Sequence, residues 1–306
     1  MPMNTGAFSQ LLAPGLRVVF FQALKEREPQ YSQLFKVIPS TRAYEEELEV
    51  ADLGTMPIKD EGASVIYQDA TQGGKKRYTH VTYALGFRVT EEMWEDDLYA
   101  VMNRMPRALG KSARNVREVV SFNILNLGFT TQFGFQKFGV NEPLFSTTHS
   151  LIVGGAAQAL TQANRASVDA DLGVASLEAA ILLFDNLVDE TNIPCVVIPS
   201  LLVVPPNLKQ VAVELLGSEY KPYTAGNEVN AFIRNNPMRF IVVNYLTNTN
   251  SWFLFSDDHD FKFFERRPVR FQNGDDFDTG DAKYKGSQRF SVGASEYRGS
   301  FGSLGG

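Results

Sequence analysis

One stretch of this 306-residue chain has the pattern of a single long helix, and it constrains the fold more than any other segment. Thr90 is a good N-cap, and five acidic residues between Glu91 and Asp97 place negative charge at the positive end of the helix dipole. Apolar residues then recur at helical spacing: Leu98, Val101, Met105, Leu109, Val116 and Val120. We expect a rod-like helix over 90–127, with Pro106 kinking or dividing it.

Another face of this predicted helix is basic. Four cations recur three or four residues apart: Arg104, Arg107, Lys111 and Arg114. One interpretation is a solvated face that pairs with the acidic residues at 91–97 or with Glu118. A second interpretation is a contact with the acidic strand Glu45–Glu46–Glu47 of another subunit. The pattern alone leaves both open.

The first forty residues have the composition of an arm. Apolar residues at helical spacing predict a short amphipathic helix from about Leu16 to Arg27. Pro29 ends it, and a second apolar cluster that includes Phe35 precedes Pro39. No partner segment lies beside the arm in the sequence, so we expect its apolar face to lie on something else.

Residues 41–89 have the pattern of strands and a loop. Residues 44–50 are strand-like and acidic, and apolar residues alternate at 63–67 and again at 81–89. The run Thr71–Gln72–Gly73–Gly74–Lys75 between the two alternating segments is a turn signal. We expect a two-stranded hairpin with charged flanks, which needs a neighbour because an isolated hairpin is only marginally stable in water.

The remaining sequence predicts two further helices and several strands. The helices are expected from Asp171 to about Val188 and from Pro206 to a stop at Gly217. Strands are expected at 196–198 (buried), 201–204, 240–243, 252–255, 261–264, 269–271 and 289–294.

The charge balance argues against specific recognition of nucleic acid. The formal net charge is −6 and the pI is near 5.3, whereas domains that grip duplex phosphates usually carry a positive excess. The single cysteine, Cys195, lies in an apolar run and is expected to be a small buried residue without a disulfide or metal partner. Because neither a signal peptide nor a stretch long enough to span a bilayer is evident, we expect a soluble protein made in the cytoplasm.

No set of residues has the spacing of a catalytic, cofactor or metal site. The histidines, His80, His149 and His259, lie outside any metal-binding motif. Residues 257–260 are expected to form a solvated turn, since consecutive strand residues point to opposite faces and cannot converge on one ion. Residues 146–149 are expected to form a loop with hydrogen bonds between side chains and backbone. We therefore expect a protein that is not an enzyme and that needs no cofactor or metal.

An apolar arm, a charged hairpin and a rod-like helix fit poorly with an isolated globule. Segments that cannot bury their own apolar surface bury it against copies of the same chain, and interlocking arms give head-to-tail contacts that close into rings. We therefore predict self-assembly. The candidate subunit-contact residues are Phe20, Phe35, Glu45, Glu46, Glu47, Lys75, Lys76, Arg77, Arg104, Arg107, Lys111 and Arg114.

Five short segments follow one another along the chain: Phe87–Met93, Pro143–His149, Leu202–Leu208, Trp252–Phe253 and Arg289–Gly293. By these segments and by the order of its elements, the sequence resembles the major capsid proteins of tailed bacteriophages with the Hong Kong 97 fold, and it is most similar to the major head subunits of Mu-like phages.

The resemblance implies an α+β fold with five regions. They are an N-terminal arm (1–40), an extended hairpin loop (41–89), a peripheral domain (90–164) with a spine helix at 90–127, an axial domain (165–258), and return strands with a C-terminal tail (259–306). A few relatives crosslink covalently through a loop lysine and an asparagine of a neighbour. Lys59, Lys75 and Lys76 lie in the corresponding loop here, but no motif identifies the asparagine.

The resemblance also implies an assembly and its partners. Copies would form pentamers and hexamers that tile an icosahedral shell around double-stranded DNA, contacted non-specifically, in a virion assembled in the host cytoplasm. A separate scaffolding protein, a portal and a decoration protein are the other implied partners, and no membrane is involved. The alternatives are another phage structural protein (tail tube, tail sheath or decoration protein) and an encapsulin-type nanocompartment shell. The helix at 90–127 disfavours a tube protein, because tube proteins are dominated by strands.

Overall fold

The computed structural model describes most of the chain as two compact units. The described residues are 9–51, 53–69, 71–90, 101–133, 135–137, 140–153, 156–217, 237–276 and 280–306. Unit 1 consists of Met1–Glu45, Tyr78–Ser121 and Lys262–Val292, and unit 2 consists of Glu46–Arg77, Phe122–Phe261 and Gly293–Gly306. Among the described helices, none combines the length and the apolar character needed to cross a membrane.

The described ranges contain four α-helices. They are α1 (Ser9–Lys25), α2 (Val101–Asn126), α3 (Val174–Asp185) and α4 (Lys209–Leu216), with 3₁₀ turns at Tyr31–Gln33, Thr131–Phe133 and Pro206–Leu208. The last helix ends at Gly217, as predicted. Helix α2 continues through Pro106, so the expected division is wrong, and a kink at this residue stays a prediction. The acidic first turn at 91–97 lies outside the described residues.

Fourteen strands are described. They are β1 (Lys36–Pro39), β2 (Tyr44–Ala51), β3 (Thr71–Thr79), β4 (Val81–Val89), β5 (Phe135–Lys137), β6 (Val140–Glu142), β7 (His149–Val153), β8 (Ala156–Gln162), β9 (Pro199–Val204), β10 (Arg239–Val242), β11 (Trp252–Ser256), β12 (Phe261–Asp275), β13 (Ala282–Ala294) and β14 (Ser300–Ser303). The strands β2 and β3, β5 and β6, and β7 and β8 form separate two-stranded sheets.

Unit 1 is built on a four-stranded sheet in the order β1–β12–β13–β4. Strand β1 runs parallel to β12, and β13 runs antiparallel to β4. The two strands predicted at 261–264 and 269–271 form the single strand β12, which continues through Pro268. Strand β1 pairs with β12 only as far as Glu265, so this edge of β12 is open at Pro268, where a residue without an N–H is tolerated.

Aromatic side chains join the first helix and the turn after it to this sheet. The buried Phe20 of α1 has its ring centroid 5.1 Å from that of Phe271 in β12. Phe263, also in β12, stacks with Tyr31 at 4.7 Å and with Phe290 of β13 at 4.8 Å. The arm segment therefore shares one aromatic core with strands more than 200 residues later in the sequence.

Unit 2 is built on a second four-stranded sheet, in the order β10–β9–β11–β14. The apolar runs Leu201–Val204 and Trp252–Phe255 are buried at every residue, as expected of strands that are covered on both faces. Helix α3 contributes Leu177 and Phe184 to the same core as Trp252.

The region between β2 and β4 corrects the predicted hairpin. The expected turn at 71–75 is wrong, because these residues lie inside β3, and residues 63–67 belong to the loop that joins β2 to β3. The strand at 81–89 is β4, but it pairs with β13 rather than with 63–67. A two-residue alternation identifies a strand without identifying its neighbour, which explains the wrong pairing.

The predicted buried strand at 196–198 is also wrong. No strand is assigned to these residues, β9 begins only at Pro199, and Val196 and Ile198 are exposed. The preceding Cys195 is partly buried beside the core of unit 2. The continuous run of apolar residues predicts that 196–198 is buried on both sides. Within one subunit, however, the side chains of Val196 and Ile198 stay exposed.

Gly110 lies at a close approach of α1 and α2, and its substitution tests that packing. A Cβ at this position would lie 2.5 Å from the backbone oxygen of Phe20 and 3.1 Å from the Cβ of Ala23. We expect Gly110→Ala to lower the free energy of unfolding by about 1–3 kcal/mol, because one helix must shift. The measurement is urea denaturation followed by circular dichroism.

Gly15→Ala is the matched control. Gly15 also lies inside a helix, but a Cβ there meets no atom within 4 Å. Alanine should therefore stabilise α1 by about 0.5–1 kcal/mol. Two variants that change stability equally and in the same direction would contradict the close approach at Gly110.

Candidate subunit-contact surfaces

The structure buries the predicted arm contacts inside the subunit. Phe20 and Phe35 are buried, and Leu16 of α1 packs with Val89 and Tyr284 of unit 1. The expectation that the apolar face of the arm lies on something other than its own chain is therefore wrong for these residues. The strands that cover these residues are distant in sequence, so the segments next to the arm do not predict this contact.

A buried carboxylate on α2 fixes the segment that follows α1. Glu118 accepts the backbone N–H of Gln30 at 2.8 Å and that of Tyr31 at 3.0 Å. These N–H groups stand at the start of the 3₁₀ turn Tyr31–Gln33, where backbone donors have no partner within the turn. Burial raises the pKa of Glu118, and the two donated hydrogen bonds offset only part of that increase.

The adjacent Arg117 connects the same segment to the sheet of unit 1. Its guanidinium donates to the hydroxyl of Tyr31 at 3.2 Å, to Gln288 at 2.7 Å and to Glu265 at 2.6 Å. It also lies over the ring of Phe263, 5.6 Å from the centroid. From the sequence, Glu118 is predicted only as a possible partner of the basic stripe, and no pattern points to Arg117.

The basic stripe of α2 contacts α1. Arg107 lies 3.0 Å from Glu26 and Lys111 lies 3.9 Å from the same carboxylate, while Arg114 donates to the backbone oxygen of Ala23 at 3.3 Å. The hydrogen bond from Arg107 and the nearby charge of Lys111 hold the pKa of Glu26 below its usual value. Cations near the last carbonyl groups of α1 also favour its helix dipole.

These contacts give the stripe a partner that neither earlier interpretation named. The acidic residues at 91–97 lie outside the described residues, and Glu118 binds the arm backbone. Arg104 is exposed. A role of the stripe between subunits stays a prediction.

The acidic residues of β2 also have partners in their own chain. Glu45 accepts a hydrogen bond from the hydroxyl of Ser40 at 2.6 Å, and Glu47 accepts one from the hydroxyl of Ser295. Across the sheet, Glu46 pairs with two exposed cations of β3, Lys75 at 2.7 Å and Arg77. A contact between this strand and the basic stripe of another copy would have to displace partners on both sides.

Lys76 differs from the cations beside it in β3. It is partly buried, whereas Lys75 and Arg77 are exposed. Burial lowers the pKa of Lys76 to about 8, because a desolvated ammonium is less stable than the neutral amine. Lys59, the other loop lysine, is exposed.

A cluster in unit 2 places three carboxylates around one guanidinium. Arg298 lies 2.8 Å from Glu190, 3.3 Å from Glu296 and 4.0 Å from Glu49 of β2. The three carboxylates are close enough together to hold a metal ion, but the guanidinium already lies among them and supplies the compensating charge. The cluster is an ion-pair network, and no local sequence pattern predicts it because its members are far apart in the chain.

His149 is buried in unit 2 and has a hydrogen-bond partner at each ring nitrogen. Nδ1 lies 3.2 Å from Glu142, Nε2 lies 2.9 Å from Oδ1 of Asn164, and the ring stacks on Tyr297 at 3.9 Å. Burial raises the pKa of Glu142, but hydrogen bonds from His149 and Ser150 outweigh it and leave the pKa below its usual value. His149 is therefore a structural residue in this fold.

The other residues of a type suited to catalysis or metal binding also have structural partners nearby. The predicted loop at 146–149 contains the expected bond, from the N–H of Thr148 to the hydroxyl of Ser146 at 3.1 Å. His80 is buried between the hydroxyls of Ser40 and Ser291, at 3.0 Å and 2.9 Å. Residues 257–258 form an exposed turn, but His259 is buried, with Nδ1 2.6 Å from the backbone oxygen of Ser256.

Exposed apolar side chains are concentrated in the loop between β2 and β3. Met56, Ile58 and Tyr67 are 95%, 96% and 90% exposed, and Leu53, Val65 and Ile66 are exposed as well. Isolated exposed apolar residues are normal, but six within residues 53–67 are typical of a contact surface. We call residues 53–69 the apolar loop.

Unit 1 carries an open apolar groove between α2 and β4. Its walls are Leu109, Ala113 and Val116 of the helix and Tyr83 and Leu85 of the strand, and its volume is about 360 Å³. Strand β4 is at the edge of its sheet, so among the described residues no further strand covers this side of the groove.

Removal of the Glu118 carboxylate tests the anchor of the arm. We expect Glu118→Ala to lower the free energy of unfolding by about 2–5 kcal/mol, because a buried and a part-buried backbone N–H group both lose their acceptor. Glu118→Gln should cost less, since the amide keeps one acceptor oxygen and carries no buried charge. Chemical denaturation measures both, and equal losses for the two variants would contradict the role of the two hydrogen bonds.

Comparisons with known proteins agree on the class of fold. A family model described as "Phage capsid protein" matches residues 74–301. No curated protein sequence matches the chain.

Three solved structures illustrate the likeness. A protein of Microbacterium phage Oxtober96 is 11% identical, with a TM-score of 0.55 over 88% of this chain and 86% of that chain. A protein of the bacteriophage JBD30 capsid decorated with minor capsid protein trimers is 15% identical, with a TM-score of 0.55 over 72% of this chain and 92% of that chain. The virus-like particle from Pyrococcus furiosus is 12% identical, with a TM-score of 0.51 over 94% and 97%.

At these identities the structural likeness shows the fold alone. The family match extends over well more than half of the sequence, from β3 to β14. This chain belongs to the phage capsid protein family.

Proposed function

We propose that the chain is the major capsid protein of a tailed phage and that it assembles as pentamers and hexamers into an icosahedral shell around double-stranded DNA. The family match over residues 74–301 carries the proposal. The finer assignments, to the Hong Kong 97 fold and to the Mu-like head subunits, are supported by the order of sequence elements. The five regions from arm to C-terminal tail belong to the same proposal.

The rival functions are less well supported. A tail-tube protein is disfavoured by α2, a helix of 26 residues, because tube proteins are dominated by strands. A nanocompartment shell of the encapsulin type would share the fold, and the likeness to a virus-like particle is compatible with either function. The family match favours the phage shell.

The structure also supports a specific way for copies to join. The apolar loop projects side chains that its own described chain leaves uncovered, and the groove between α2 and β4 is apolar and open. We propose that the apolar loop of one copy covers the groove of an adjacent copy, because both surfaces are apolar and each would shield the other from water. In contrast, Phe20 and Phe35 of the arm are buried within their own subunit.

The remaining partners follow from the proposed assembly. A separate scaffolding protein would shape the shell, a portal would occupy one vertex, and a decoration protein would bind outside. Packaged DNA would meet the shell through non-specific contacts. A net charge of −6 is compatible with weak repulsion that lets the duplex slide.

Polar substitutions in the apolar loop test the proposed function. We expect Met56→Ser with Ile58→Ser to leave the unfolding transition of the dispersed subunit unchanged, because both side chains are almost fully exposed there. The same variant should lose most of its closed shells, because the loop can no longer bury apolar surface on a neighbour. Negative-stain electron microscopy of the protein co-expressed with its scaffold measures the yield.

Val168→Ser is the matched control, since Val168 is an exposed apolar residue outside the loop. Shells from the control and from the natural sequence, but not from the loop variant, support the proposal. Long tubes from the natural sequence would favour a tail component. Dispersed monomers of the natural sequence at high concentration would contradict the proposed assembly into a shell.

A further inference from the structure

A buried histidine lies where the chain leaves unit 1 and comes back to it. The segment 46–77 is an excursion of the chain out of this unit. His80 comes shortly after the excursion and is 4% exposed. Its ring nitrogens contact the hydroxyl of Ser40, which comes shortly before the excursion, and the hydroxyl of Ser291 in β13. The histidine therefore connects both ends of the excursion to the sheet of unit 1.

The hydrogen bonds around Ser40 fix which ring nitrogen of His80 carries the proton. The hydroxyl of Ser40 donates its one hydrogen to the carboxylate of Glu45 at 2.6 Å, because a carboxylate only accepts. The same hydroxyl oxygen accepts the backbone N–H of Arg42 at 3.3 Å and lies 3.0 Å from Nε2 of His80. Since the hydroxyl has no second hydrogen to give, Nε2 carries the proton and donates it to Ser40.

The other ring nitrogen, Nδ1, is then an acceptor. It lies 2.9 Å from the hydroxyl oxygen of Ser291, which donates to it while the ring is neutral. A proton on Nδ1 would face this oxygen and turn the hydroxyl hydrogen away, and the described residues show no other hydrogen bond for that hydroxyl. The neutral ring therefore completes the chain of hydrogen bonds, and a protonated ring breaks it at Ser291.

The surroundings of the ring also favour its neutral form. Burial is the main cause that lowers the pKa of His80 below its usual value. Arg289 of β13 and Arg266 of β12 lower it further, whereas the carboxylate of Glu45 raises it. The other nearby carboxylate, that of Glu265, binds α2 on the opposite face of the sheet. Protonation of the closed structure therefore needs a lower pH than protonation of an exposed histidine.

We propose that His80 is a pH-sensitive clamp on the excursion at 46–77. With a neutral ring, the hydrogen bonds through Ser40 and Ser291 hold both ends of the excursion to β13. With a protonated ring, the clamp opens and the ends are released from the sheet. Acid thus loosens the segment that carries the apolar loop. The inference concerns one subunit, so it stands or falls separately from the proposed shell.

The direction of the pH dependence follows from proton uptake. The open state binds a proton at about the usual pKa of histidine, 6.5, and the closed state binds it only at a lower pH. The clamp therefore has its full strength above about pH 6.5 and weakens as the pH falls below this value. Between the two pKa values opening takes up one proton, so the equilibrium constant for opening rises by up to about tenfold per pH unit.

Nuclear magnetic resonance of the ring nitrogens tests the protonation of His80. The chain has three histidines, so labelling with ¹⁵N-histidine gives three sets of ring signals. The set that is missing from a His80→Gln variant belongs to His80. We expect its Nε2 to carry the proton above neutral pH and its titration midpoint to lie below the usual value. A proton on Nδ1 in the neutral ring, or a midpoint at or above the usual value, would overturn the clamp.

Hydrogen exchange as a function of pH measures the release itself. After correction for the intrinsic exchange rate, amides of residues 40–45 and 78–82 should lose protection by up to about tenfold per pH unit below about pH 6.5. The amides of β11, in the core of unit 2, are the internal control and should keep their protection over the same range. Equal losses in both places would show general unfolding by acid and overturn a local clamp.

Two variants decide which group responds to acid. His80→Gln keeps a donor and an acceptor in a side chain that does not titrate, so exchange at 40–45 should no longer depend on pH in this range. An unchanged pH dependence would assign the effect to the carboxylate of Glu45 and overturn the role of His80. Ser291→Ala removes the hydroxyl that donates to Nδ1, so the midpoint of His80 should rise toward its usual value. An unaltered midpoint would contradict that hydrogen bond and the clamp built on it.

Discussion

The need to cover apolar surface governs this structure, and the chain meets it mostly by bringing together strands that are distant in sequence. Strand β12 reaches back to the first helix, so Phe20 lies against Phe271 and Tyr31 stacks on Phe263. The carboxylate of Glu118 then holds the backbone of the arm in place. Residues 16–35 of the arm are thus part of the folded subunit, whereas the apolar loop at 53–69 leaves its apolar side chains exposed.

Most of the charged side chains described above also have partners within the subunit. The basic stripe of α2 binds the end of α1, and the acidic strand β2 binds serines and the cations of β3. Exposed pairs of this kind contribute little to stability, so they orient segments more than they hold them together. Because most of these charged side chains have partners within the subunit, we propose that assembly depends mainly on apolar contacts, in the loop and the groove.

Local patterns in the sequence predicted the helices and strands themselves better than they predicted which of them lie side by side. The glycine stop of α4 and the continuous apolar runs of β9 and β11 depend on nearby residues, and the structure has them close to where they were expected. The pairing of β4 with β13 and the ion-pair network at Arg298 depend on residues far apart in the chain, and no local pattern contains them. Val196 and Ile198 show a third case, because their apolar character predicts burial that a single subunit does not provide.

Hydrogen exchange by mass spectrometry, compared between dispersed subunits and assembled shells, tests the central claim most directly. The account predicts that backbone amides in the loop at 53–69 exchange fast in the subunit and slowly in the shell, because a neighbour covers them only there. Amides of the arm at 30–35 should be protected equally in both states, since their cover comes from their own chain. Unchanged exchange in the loop, with new protection appearing in the arm instead, would contradict the account.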